Sequence, residues 1–261
     1  MVRAFARVGC EIVRDPPVDL EWIHRGWLSR RYGPLARPRA VWLVDEPYHW
    51  GHRKAWSRHA DYVFVNDRGA LGAHREGRTH WLPPAYEPFE VSDPIACDVA
   101  IIGRNFRARR RVLRKLWPYL SRLDVRIAGS RWPEEWPVVA EWLEPEEAAR
   151  YYAGATVNIN IHRQAWGPEC DADAPTPTGL NFRAFEIAAV GGFQIMDERE
   201  DAAIFLPSAV TFDGTADDLR RKIAYYLSHD NERRAIAEAC RREVAPHTFD
   251  VRAKTVLRVL A

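Results

Sequence analysis

Cysteine is scarce in this 261-residue chain: Cys10, Cys97, Cys170 and Cys240 lie far apart, with no C-x-x-C spacing. That excludes a zinc knuckle and a disulfide framework, and four buried thiols are expected instead. Long apolar runs are missing as well. No window approaches the roughly 20 apolar residues of a membrane-spanning helix, and the opening MVRAFARVGCEIVRDPP lacks the apolar stretch of a signal peptide, so a cytoplasmic location without a transmembrane segment is expected. Nor does one sign of charge dominate. Basic residues number 38 and acidic ones 36, a net charge of +2, which argues against a general nucleic-acid partner. Internal repeats and low-complexity tracts are absent.

What is there belongs to an ordinary globular protein, with 47% apolar and 28% charged residues. Eleven tryptophans are many for this length; core and interface positions account for most, although indoles also line carbohydrate subsites. Beyond Asp93, short apolar runs alternate with amphipathic stretches, which predicts parallel strands joined by helices. The strands are DVAIIG (98–103), VRIAG (125–129), TVNINI (156–161), FQIM (193–196) and AVTF (209–212). The helices are 109–123, 145–152, 183–190 and 216–227. Strands buried on both faces read as continuous apolar runs, as these do. The first ninety residues repeat the rhythm more thinly, with AVWLV (40–44) and YVFVN (62–66) as the clear strands and CEIV and LEWIH as weaker ones. Proline-rich 81–94 reads as a linker. The expected organisation is a short N-terminal Rossmann-like domain over 1–92, a C-terminal Rossmann-like domain over 93–245, and an amphipathic helix in 246–261 that caps the second domain or crosses back onto the first.

In open parallel sheets, ligands bind beyond the carboxyl ends of the strands. Those positions are Asp45 and Glu46, Gly103 and Arg104, Gly129, His162 and Arg163, and Asp197. A sharper signal is PTPTGLNFRAFEIAAVGG (175–192), a Thr/Pro/Gly loop leading into a short helix. The peptide N–H groups at such a helix start, near Asn181, favour a pyrophosphate. Arg183 adds bidentate contacts to phosphate oxygens, and Glu186, one turn on, suits the two hydroxyls of a ribose. GRNFRARRRVLRK follows the first strand of the same domain. There Gly103 permits close backbone approach, and Arg104, Arg107 or Arg109 reaches a phosphate, while most of the seven basic residues between Arg104 and Lys115 form a solvated face. His162 and Arg163 stand beside this site, against phosphate, sugar or neither.

Two metal patterns are weaker. In EPYHWGH, Pro47 and Gly51 prevent Glu46, His49 and His52 from sharing one helix face. The D-x-D of Asp171 and Asp173 reads as a solvated acidic loop. No metal and no cofactor is expected.

VNINIHR, GLNFRAFEIAAVGGFQIMDERED, IFLPSAVTF and the stretch from 218 to 257 together resemble glycosyltransferases of the spore-maturation CgeB type, related to the group 1 (family 4-like) enzymes. VWLVDEP and IIGRNFRARRRVL resemble the family's corresponding segments, so the likeness spans most of the chain. It implies an α/β, GT-B-like fold, two doubly wound Rossmann-like domains facing a cleft, with the nucleotide-sugar donor on the second domain and the acceptor on the first. The first domain here opens on helix-like VRAFARVG, without the opening strand and glycine-rich loop usual in GT-B enzymes. Glu186 matches the second glutamate of the family's E-x7-E pattern, and Thr178 stands where the first would be.

The resemblance implies a metal-independent transfer of a sugar, uridine-linked by family expectation, to a glycan, small molecule or protein. Donor contacts fall to Gly103, Arg104, Arg109, His162, Arg163, Thr178, Gly179, Leu180, Asn181, Arg183 and Glu186, and the catalytic candidates are Asp45, Glu46 and His49. A binding module without turnover and a UDP-sugar epimerase on the same fold stay open, as does a homo-oligomer.

Overall fold

The computed structural model describes residues 1–12, 21–24, 38–44, 47–48, 57, 60–74, 78–163 and 174–261. The chain is mixed α/β and divides into two compact units: Met1–Ala85 with Gln164–Leu180 and His247–Ala261, and Tyr86–Arg163 with Asn181–Pro246. The segment ending in Thr178–Leu180, placed by its sequence position in the second domain, thus clusters with the first unit.

The first unit holds a fully parallel sheet in the order β1 (Glu21–His24), β2 (Arg39–Leu43), β3 (Tyr62–Val65), β4 (Thr79–Trp81). Val41 and Leu43 pack with Val63 and Val65 in its core. The amphipathic C-terminal helix α8 (Phe249–Leu260) lies against the N-terminal helix α1 (Val2–Arg7). Arg7 and Asp250 pair at 2.6 Å, and Phe249 meets Trp42 edge-on with ring centroids 6.4 Å apart. Arg252 of α8, itself buried, donates to the carbonyls of Pro83 and Pro84 at 2.9 Å each. Two proline-flanked acceptors inside the fold are satisfied in this way.

The second unit has a six-stranded parallel sheet: β5 (Cys97–Ile102), β6 (Val125–Ala128), β7 (Val138–Ala140), β8 (Ala155–Asn160), β9 (Gln194–Asp197) and β10 (Val210–Phe212), in the order β10-β9-β8-β5-β6-β7. The intervening helices are α2 (Arg107–Leu120), α3 (Pro145–Gly154), α4 (Phe182–Ala189), α5 (Ala202–Phe205), α6 (Ala216–Ser228) and α7 (Asp230–Val244). Strand order turns back between β5 and β8, the topological switch point where a doubly wound sheet opens a crevice at its carboxyl edge. Val99, Ile101, Val125, Ile127, Val157, Ile159 and Ile195 form the buried middle layer, covered on one side by Leu113, Leu116 and Leu120 of α2 and Leu219 and Ile223 of α6.

All five strands expected beyond Asp93 are present within two residues of their expected bounds, and the four helices within three; the sequence pattern missed β7, α5 and α7. β7 is only Val-Val-Ala with no buried position, too short and too exposed to produce an apolar run. Of the thiols, Cys97 and Cys240 are buried and Cys10 is half-buried; Cys170 lies outside the described residues.

Candidate functional site

β5 and β6 are each followed by a glycine, Gly103 and Gly129, with φ of +126°. A methyl group on Gly129 would fall 2.4 Å from the carbonyl carbon and oxygen of Gly103, and one on Gly103 would fall 2.1 Å from Nη2 of Arg183. Two strand ends and a guanidinium therefore meet at a spacing and a backbone conformation that only glycine allows. The Gly103 carbonyl accepts from Trp132 Nε1 at 3.0 Å. The Arg104 carbonyl accepts from Arg109 Nη1 at 2.5 Å.

These ends open into a cavity of about 430 Å³ contained in the second unit, lined by Gly103, Arg104, Gly129, Tyr152, Arg183 and Glu186, with Trp142 at its edge. Trp142 is 76% exposed, and its Nε1 donates to Glu144 at 3.2 Å. The volume is that of a small-molecule site.

Asn181 caps α4, accepting from the Ala184 N–H at 2.9 Å. Its amide is held by Asn160 of β8, through bonds of 2.8 and 3.2 Å. Arg183 lies in the first turn of α4. It reaches Asn160 Oδ1 at 3.4 Å, while its Nε has no partner among the described residues. Burial raises the Tyr152 pKa, with Arg183 opposing. Glu186 follows one turn on and is half-buried. Burial pushes its carboxyl up, again with Arg183 opposing. Among the described residues, no hydrogen bond or ion pair engages that carboxylate. An arginine and a carboxylate one helical turn apart, in a concave site with close backbone approach, have the chemistry that suits a ligand with an anionic group next to a hydroxylated one.

Other expected donor contacts have different partners. Arg109 is buried and gives its guanidinium to backbone carbonyls, Ile161 at 3.2 and 2.5 Å and Arg104 at 2.5 Å. Burial lowers its pKa to about 9, so it stays cationic at neutral pH as a brace joining the ends of β5 and β8 rather than as a phosphate ligand. Arg104 is exposed, and Arg104 and Arg163 flank the Phe106 ring at 5.8 and 4.9 Å.

His162 is buried. Its Nδ1 lies 2.7 Å from Asp197 Oδ1, which also accepts the His162 backbone N–H at 2.6 Å. Arg199 donates to the other oxygen of Asp197 at 3.0 Å. Burial alone would raise the Asp197 pKa, but His162 and Arg199 overcome it and hold the carboxyl well below its usual range. Burial lowers the His162 pKa, against the pull of Asp197.

Thr178 and Gly179 are tied within the first unit. Buried Asp67 accepts from the Gly69 N–H at 2.9 Å, the Thr178 N–H at 3.1 Å, the Thr178 hydroxyl at 3.0 Å and the Gly179 N–H at 2.9 Å. Leu180 is a core side chain. None of the three lines the cavity. Asp45, Glu46 and His49, and the acidic pair Asp171 and Asp173, lie outside the described residues. Among the described residues no group of three or more His, Cys, Asp or Glu is placed to hold a metal, and no helix is long and apolar enough to cross a membrane.

Three residues at or beside the cavity, Tyr152, Asn160 and Trp142, had not been expected, nor had Asp67, which holds Thr178 and Gly179 in the first unit. Asn160 had a signal, because asparagines at alternate positions in TVNINI interrupt an otherwise apolar strand and must find partners when buried. Asp67 and Tyr152 had none, since their partners are distant in sequence.

The chain belongs to the glycosyl transferase-like family, whose pattern matches residues 106–258. It is 26% identical to the spore protein CgeB of Bacillus subtilis (strain 168) over 255 residues, covering 89% of this chain and 76% of that one. Its fold is that of GT-B glycosyltransferases. The sucrose-phosphate synthase of Thermosynechococcus elongatus superposes with a TM-score of 0.58 at 14% identity, over 87% of this chain and 68% of that one. HepE of Anabaena, solved with UDP and glucose, gives 0.59 at 11% identity, over 86% and 71%.

Proposed function

We propose that the protein transfers a sugar from a nucleoside-diphosphate donor, with UDP the favoured nucleotide, and that the cavity in the second unit receives the nucleotide. The observation that carries this reading is the pairing of Arg183 and Glu186 one turn apart in that cavity, beneath two strand ends that only glycine can form. Glu186 takes the ribose hydroxyls. Arg183 and the amides at the start of α4 take the diphosphate and stabilise it as the leaving group, which is the charge that glycosyl transfer must accommodate. HepE, a GT-B neighbour, is solved with UDP and glucose, which supports a uridine nucleotide. Deprotonation of an acceptor hydroxyl is assigned, on sequence grounds, to Asp45, Glu46 or His49.

The test combines titration calorimetry of UDP, GDP and TDP with measurement of nucleotide release from the matching sugar donors. Glu186→Ala removes two charge-assisted hydrogen bonds and should weaken UDP by about 2 to 4 kcal/mol. Unchanged affinity in a folded variant refutes the assignment. Binding of several nucleotides with no turnover of any of their sugars would make the protein a nucleotide-sugar-binding module.

A further inference from the structure

One face of β8 carries a polar residue at every second position, as the pleat requires for side chains that share a face. Asn158 gives its amide to the carbonyls of Tyr152 and Phe193 at 2.9 and 3.0 Å. Asn160 binds Asn181, Gln194 and Arg183. His162 is the next position on that face, just past the strand's end. It is 2% exposed, and among the described residues its Nε2 has no hydrogen-bond partner. A buried polar atom without a partner is rare and calls for a water or a ligand group.

The tautomer decides what that group is. The Asp197 carboxylate accepts at 2.7 Å from the imidazole nitrogen Nδ1. A neutral ring that donates through Nδ1 leaves a lone pair on Nε2, which takes a hydroxyl and not a phosphate oxygen. Position agrees with this. Glu186 lies inside α4, Arg183 in its first turn, and Asn160 pairs with the capping residue Asn181 at 2.8 Å. One step outward along β8 therefore leads past the helix start. Nucleoside and diphosphate would meet Glu186 and Arg183 in the cavity, and His162, which does not itself line the cavity, stands beyond the helix start on the side where the sugar would follow. Thr178, at the position of the family's first glutamate, gives its own hydroxyl to Asp67 at 3.0 Å.

We infer that His162, oriented by Asp197, is the hydrogen-bond acceptor for a hydroxyl of the donor's sugar. The inference rests on the nucleotide reading of the cavity, so its test separates the two. His162→Asn keeps a donor at the Nδ1 position for Asp197 and removes only Nε2. Calorimetry should show unchanged affinity for UDP and roughly 3- to 10-fold weaker affinity for UDP-glucose, the worth of one neutral hydrogen bond. In the wild-type protein, which avoids any question of folding, the 15N resonance of His162 Nε2 should shift on adding UDP-glucose but not UDP. Equal losses for both ligands would give His162 a structural or nucleotide-side role, and no loss for either together with a silent Nε2 would mean that a buried water is the partner; either would overturn the assignment. A wild-type protein that binds no nucleoside diphosphate would overturn the nucleotide reading itself, and this one with it.

Discussion

Burial disfavours the ionised Glu186 carboxyl, and the Arg183 guanidinium offsets that only in part. A group whose pKa is raised on folding stabilises the fold below its unfolded value, near 4.5, and that contribution is lost as pH rises through the folded value. Above its raised folded pKa the free protein therefore carries a destabilising charge, which a ligand's hydroxyls would solvate. Glu186→Gln should consequently gain melting temperature over wild type progressively as pH rises above 4.5, while binding UDP about tenfold or more weakly. Scanning calorimetry and UDP titration on one preparation check both halves. A variant less stable at neutral pH would show that the carboxylate is satisfied within the protein. Stability given up at a ligand site in this way is the usual form of a stability–function trade-off.

Two turns of the second unit use glycine for different reasons, and substitution separates them. At Gly129 an added Cβ meets Gly103 backbone 2.4 Å away, and backbone cannot yield without moving β5. At Gly103 the obstacle is the end of the Arg183 side chain at 2.1 Å, which can swing aside. Both have φ of +126°, so each alanine also incurs backbone strain of about 1 to 3 kcal/mol. Gly129→Ala should cost clearly more in urea unfolding than Gly103→Ala, while Gly103→Ala should lose more UDP affinity for each kcal/mol of stability, because it displaces Arg183. A Gly103→Ala protein with native UDP affinity would remove Arg183 from the site. In the first unit, Asp67→Ala leaves the N–H groups of Gly69, Thr178 and Gly179 without their acceptor. The expected loss is about 2 to 4 kcal/mol, with amide hydrogen exchange quickening at 178 and 179; unchanged exchange there would show that the carboxylate does not hold the segment.

At the scale of the whole chain, the strands and helices beyond Asp93 were legible because apolar period and length report burial directly. Gly103, Arg104, Arg183 and Glu186 were legible because they sit on local signals, a strand end and a helix start. Pairings such as Arg109 with Ile161, or Asp67 with Thr178, join segments 52 and 111 residues apart, and residue type alone cannot say whether a polar side chain faces a ligand or the protein's own backbone. The same limit applies to the C-terminal helix, whose amphipathic face is plain but whose partner is not. One titration reads that partnership. Burial, with the charge of Arg252 alongside, lowers the His247 pKa from 6.5 to about 4, and the Arg252 guanidinium, 3.1 Å from His247 Nδ1, is the group that binds the Pro83 and Pro84 carbonyls. Between those two pH values the unfolded chain takes up a proton that the folded one refuses, so stability falls as pH drops from 6.5 towards 4. His247→Gln, which cannot titrate, should flatten that part of the stability curve in urea unfolding followed from pH 7 to pH 4. A variant that loses stability over this range as steeply as wild type would assign the acid sensitivity to other groups and leave Arg252 to hold α8 in place unaided.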